Sequence, residues 1–61
     1  GDQSAWFIDI DKFPELLALW QGKRPVYFFL SDITYTYVKA AIPPPVTVLG
    51  RDKRKIVITN R

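Results

Sequence analysis

Five consecutive apolar residues, Val26-Tyr27-Phe28-Phe29-Leu30, stand mid-chain between Pro25 and Ser31-Asp32. A run that short, rich in aromatic and β-branched side chains and bounded by turn-formers, predicts a strand. Its lack of alternation predicts a central strand, covered on both faces or nearly so. In a chain of 61 residues that expectation constrains most of the rest. A domain of this size buries only about 60% of the surface its unfolded form exposes. With no cysteine and no histidine, neither a disulfide nor a zinc site of the usual kinds can reinforce it. The core has to come from side chains alone. Two Trp, three Tyr and four Phe are available for it, each able to bury roughly 150–250 Å². A single small domain over residues 1–61 is expected. A start at Gly1-Asp2-Gln3 without an initiator Met is compatible with a fragment of a longer chain.

The flanking sequence places the other elements. Ala5-Trp6-Phe7-Ile8-Asp9-Ile10 predicts a first strand. Asp11 is placed to cap a helix in which Pro14 falls in the first turn, where its missing N–H costs nothing, and Glu15 suits the positive end of the dipole. Phe13, Leu16, Leu17 and Trp20 recur at i, i+3, i+4 and i+7 as one apolar stripe. Gly22 follows as the C′ residue.

Residues 33–42 carry conflicting signals. Ile33, Tyr35 and Tyr37 alternate with threonines, as in a strand, while Ile33, Tyr37, Val38, Ala41 and Ile42 fit a helical stripe. A Ser31-Asp32 start, a Lys39-Ala40-Ala41 finish and the stop at Pro43-Pro44-Pro45 favour the helix. So does the need for a crossover before any second parallel strand. The triple proline, lacking flanking PxxP repeats, reads as an extended connector. Val46–Leu49 and Lys55–Thr59 predict a hairpin across a five-residue loop, Gly50 to Arg54. The expected fold class is α/β: a small β-α-β-α-β-β domain, its helices packed against the sheet as two layers or a loose double wrapping, with a C-terminal hairpin.

Charge is concentrated at one place. Arg51, Lys53, Arg54 and Lys55 against Asp52 account for the whole formal charge of +3, and the rest of the chain is balanced. Charged residues at a hairpin tip keep it solvated and discourage edge-to-edge association. As a binding site the tip offers at most about four phosphate contacts, which is weak and steeply salt-dependent. RNA readers also want aromatics displayed on an open sheet face, whereas a chain this small needs Tyr27, Phe28 and Phe29 inside. Nucleic acid is therefore the disfavoured partner. Contact with anionic lipid head groups is the intermediate case, with about 1 kcal/mol per basic residue available near such a surface.

Asp9-Ile10-Asp11 has the outline of a metal-binding carboxylate pair, but without further ligands or a Gly-rich phosphate loop it reads as one capping and one solvent-facing Asp. With no Cys, no His, one Glu and two Ser, the inventory for nucleophilic or acid–base catalysis is nearly empty. No catalytic residue, cofactor or metal is expected. The apolar runs fall far short of the roughly 20 residues of a membrane span.

Three stretches, Trp20-Gln21-Gly22-Lys23-Arg24-Pro25-Val26-Tyr27-Phe28-Phe29-Leu30, Pro45-Val46-Thr47-Val48-Leu49-Gly50 and Lys55-Ile56-Val57-Ile58-Thr59-Asn60-Arg61, together resemble one family. They look like the soluble C-terminal tail of polyprenyl-phosphate-dependent membrane glycosyltransferases of the protein mannosyltransferase and aminoarabinose transferase type. Such tails run as a helix ending near a Trp and a basic turn, a strand, a capped helix and a hairpin, with an asparagine near the end like Asn60. The resemblance implies a noncatalytic domain on the extracytoplasmic, periplasmic face of the membrane. Its partner would be the membrane-embedded remainder of its own chain, and the whole enzyme would move a sugar from a lipid-phosphate carrier to lipid or protein. The family's catalytic acidic residues lie in a membrane-proximal loop that has no counterpart here, so none is carried over to Asp9 or Asp11. The alternative is a free-standing basic module that grips nucleic acid or an acidic partner through Arg51–Lys55.

Overall fold

The computed structural model describes residues 4–7 and 10–61. Four strands, β1 (Ser4–Phe7), β2 (Val26–Ser31), β3 (Thr47–Arg51) and β4 (Lys55–Thr59), form one sheet in the order β1-β2-β4-β3. Helices α1 (Phe13–Trp20) and α2 (Asp32–Val38) make the crossovers, α2 continuing as a 3₁₀ turn over Lys39–Ala41. β1 runs parallel to β2, and β4 is antiparallel to both β2 and β3. The chain is thus the expected mixed α/β domain with a C-terminal hairpin. Residues 33–42 take the helical alternative, with Ser31 as the cap.

Both helices lie on one face of the sheet. The strand order advances in a single direction, β1 to β2 and then past β4 to β3. Right-handed crossovers in one direction leave their helices on the same side. Leu16 and Trp20 of α1, with Val38 of α2 and Ile42 beyond it, accordingly share one core with Val26, Phe28, Leu30, Ile56 and Ile58. The expectation that β2 is covered on both faces or nearly so is thus met in full on the helix side and only in part on the other. Val26, Phe28 and Leu30 are buried, Tyr27 is half-buried, and Phe29 is 37% exposed. The run is apolar throughout, but its period-2 geometry still sends alternate side chains to opposite faces.

Further corrections follow from local geometry. The first strand does not run to Ile10: β1 ends at Phe7, Ile8 and Asp9 lie outside the described residues, and a 3₁₀ turn spans Ile10–Lys12. That turn leads straight into α1, so Lys12 occupies the N-cap, without a side-chain cap, and Asp11 does not hold that position. The α1 stripe is as expected, Leu16 and Trp20 buried with Phe13 and Leu17 packed beside them. Gly22 follows the C-cap Gln21 and donates its N–H to the Leu19 carbonyl; a Cβ there would come within 3.2 Å of that oxygen.

In α2 the helix is as expected, and of its expected stripe Val38 and Ile42 are buried while Ile33, Tyr37 and Ala41 are not. Tyr35, Val38 and Ile42 turn inward, whereas Ile33 is 66% and Tyr37 80% exposed. At about 100° per residue, Ile33 and Tyr37 fall opposite Val38 and Ile42. The hairpin loop is also tighter than expected. β3 continues through Gly50 and Arg51, leaving Asp52–Arg54 as the turn. A bulge makes this possible: Val48 pairs with Ile58 and Gly50 with Val57, so Leu49 is the extra residue.

The layers are closed by Asn60, which is buried. Its Oδ1 accepts from the Val26 N–H at 2.9 Å, and its Nδ2 donates to the Trp20 and Arg24 carbonyls, each at 3.0 Å. The end of β4 is thereby fastened to the end of α1 and the start of β2. The amide spends both donors and its acceptor on main-chain groups that would otherwise lack partners. Asn60→Ala should cost about 2–3 kcal/mol in urea unfolding, because buried backbone groups are left unsatisfied. Asn60→Asp should cost at least as much, since an oxygen would then face two carbonyls. Beside it, Thr59 is buried and its Oγ1 has no hydrogen-bond partner among the described residues. Thr59→Val should therefore keep the strand and raise stability by about 1 kcal/mol in the same measurement.

Candidate functional site

The four cations picked out in the sequence come together at one end of the sheet. Arg51 closes β3 opposite Ile56, Lys53 and Arg54 lie in the turn, and Lys55 opens β4 opposite Ser31. All four side chains are exposed. The main chain beneath them is well tied. Asp52 donates its N–H to the Lys55 carbonyl at 2.9 Å and its Oδ1 accepts from the Arg54 N–H at 3.2 Å. The Arg54 carbonyl in turn accepts from the Asp32 N–H at 2.9 Å, which fastens the tip to the β2–α2 junction. The charge is thus held on a fixed backbone.

That junction is built by local chemistry. Ser31 has extended backbone angles, and its Oγ accepts from the Thr34 N–H at 3.0 Å while donating to Thr34 Oγ1 at 2.8 Å. Asp32 Oδ1 accepts from the Ile33 N–H at 2.8 Å. The helix therefore starts at a defined residue, and its direction fixes Ile33 on the outside.

Between the junction and the hairpin lies an open-sided depression of about 820 Å³. Phe29, Ile56 and Val57 give it apolar walls, and Arg51, Arg54 and Lys55 stand around it with Asp52. Of the three adjacent aromatics expected inside, Phe28 is fully buried and Tyr27 half-buried, while Phe29 borders this depression. Phe29, which lines the depression, and the exposed Ile33 and Leu49, which do not, are the residues that sequence reasoning missed. The signals were the period of two along β2 and the angular separation of Ile33 from Val38 in α2; the bulge that turns out Leu49 left no such signal.

The depression is suited to holding an anion against an apolar wall. For covalent chemistry its hydroxyls are already committed, since Ser31 and Thr34 bond to each other in the helix cap. Asp11 is exposed in its 3₁₀ turn, and its sequence neighbour Asp9 lies outside the described residues. Among the described residues no three Asp, Glu, His or Cys side chains gather as a metal site, and no helix is long and apolar enough to cross a membrane.

Compared with known protein families, curated proteins and solved structures, the chain matches none of them. Ser31→Ala, which removes the α2 cap, should cost about 1 kcal/mol in thermal or urea unfolding. It should also raise hydrogen exchange at Asp32 and Thr34 before it affects β2.

Proposed function

We propose that this chain is a noncatalytic module of a membrane-embedded glycosyltransferase, on the extracytoplasmic side, whose parent enzyme transfers a sugar from a lipid-phosphate carrier to lipid or protein. The observation that carries the reading is the way the stretches behind the resemblance meet. Asn60, at the end of the third stretch, bonds to Trp20, Arg24 and Val26 of the first. The second stretch supplies most of β3, which pairs with β4. The residues that make the chain look like such a tail are thus the ones that close its fold, so they bear on architecture and not on catalysis.

The order of elements supports the same reading. A helix ending at Trp20, a strand, a helix capped by Ser31 and a hairpin succeed one another as in the tails described above. A strand over residues 33–42 would have removed the middle of that pattern. In this role the domain steadies the outer face of the enzyme or helps position the acceptor, and the sugar chemistry belongs to the membrane-embedded part.

The coding sequence upstream of Gly1 tests the proposal. Many hydrophobic spans in frame before Gly1 are expected, and an open reading frame that starts here with no such spans overturns it. Purified residues 1–61 should not turn over a polyprenyl-phosphate-linked sugar donor; turnover by this chain alone would contradict a noncatalytic role.

A further inference from the structure

We propose that the hairpin-tip end of the domain is a peripheral docking surface for an anionic lipid bilayer, with Arg51, Lys53, Arg54 and Lys55 on the head groups and Ile33 and Leu49 entering the boundary between head groups and acyl chains. The inference goes beyond the module reading and stands on residues of this chain alone.

Ile33 sits at the cationic end of the molecule, and Leu49 lies mid-way along the adjoining edge strand, beside the Val57–Ile58 step of β4. Ile33, 66% exposed, follows Asp32, whose N–H is bonded to the Arg54 carbonyl. Leu49, 55% exposed, is the bulged residue two positions before Arg51. Tyr37 lies one turn beyond Ile33 on the same outward face of α2 and is exposed as well. Ile33, Leu49 and Tyr37 add apolar area that solvation of the tip does not require. Aliphatic residues, an amphipathic Tyr and clustered Lys and Arg are the composition that partitions into a membrane interface.

Charge complementarity selects the partner. The tip carries the whole net charge of the chain, so an anionic surface is approached by this end first. A nucleic acid would gain from the cations but nothing from Ile33 and Leu49. Single-strand readers stack successive bases on a row of displayed aromatic side chains, whereas here Phe29 is only 37% exposed and Tyr37 stands a helical turn beyond Ile33. The tied backbone adds to the effect: the turn is held by Asp52 and Arg54 before binding, so little order has to be gained on contact.

Co-sedimentation with phosphatidylcholine vesicles, with and without about one third phosphatidylglycerol, tests the proposal. At low salt the chain should partition at least about tenfold more strongly onto the anionic vesicles, with the preference falling as salt rises. Lys53→Ala should weaken anionic binding about fivefold, as expected of one cation near a charged surface. The double variant Ile33→Ser and Leu49→Ser changes only exposed side chains. It should lose about tenfold in binding while keeping its salt dependence and its circular dichroism. Equal partition onto neutral and anionic vesicles overturns the proposal. So does unchanged binding by the double variant, or tighter binding to single-stranded RNA than to anionic vesicles at matched salt. None of these results bears on whether membrane spans precede Gly1.

Discussion

Trp20 is the point at which the parts of this small domain are joined. Its ring lies against that of Phe28, centroids 4.7 Å apart and tilted by 39°, so α1 is held onto the middle of the sheet. Its Nε1–H donates to the Pro43 carbonyl at 2.8 Å, which ties down the connector leaving α2. Its own carbonyl accepts from Asn60, at the end of β4. One residue thus touches α1, β2, the proline segment and the C-terminal strand. A chain without cysteine has few other ways to couple elements so far apart in sequence. An indole suits the task because it combines a large apolar body with one polar hydrogen that must find a partner when buried.

The rest of the architecture follows from placing both helices on one side. With α1 and α2 on the same face, the core needs one large apolar residue from every second position of β2 and β4, and Val26, Phe28, Leu30, Ile56 and Ile58 supply it. The other face and the hairpin edge are left with more apolar surface than a larger protein would show. β3 is exposed along its whole length. As an edge strand it is blunted by a bulge and ends in a charged tip, two of the ways edge strands are kept from pairing. The cationic tip thus has a structural role whether or not it also meets a ligand.

Much of this was legible in the sequence, and the exceptions have physical causes. The α1 stripe, a cap at Ser31 or Asp32 and β4 could be read directly, because each depends on neighbours in the chain; the structure takes Ser31 as the cap. The helix over residues 33–42 could be argued only by combining its cap, its proline stop and the crossover that a parallel sheet needs. What could not be read was which side the helices take. A continuous apolar run looks the same whether one face or two are covered, and strand order decides the matter. The inward face of α2 was read in part: the expected stripe spans too wide an arc to face one sheet, so Val38 and Ile42 are buried while Ile33 and Tyr37 are exposed. The cationic tip was found from charge alone, but its apolar companions Phe29 and Ile33 appear only once the fold brings them beside it, and Leu49 lies along the adjoining edge strand.

One tryptophan and one asparagine close this short domain. Hydrogen exchange of the Trp20 indole N–H, assigned with the aid of a Trp6→Phe variant, tests that closure most directly. If Trp20 joins the elements as described, this proton exchanges only through global unfolding, with the same free energy as the slowest amides of β2 and β4. Exchange at the rate of an exposed indole, while those amides stay protected, would contradict the account.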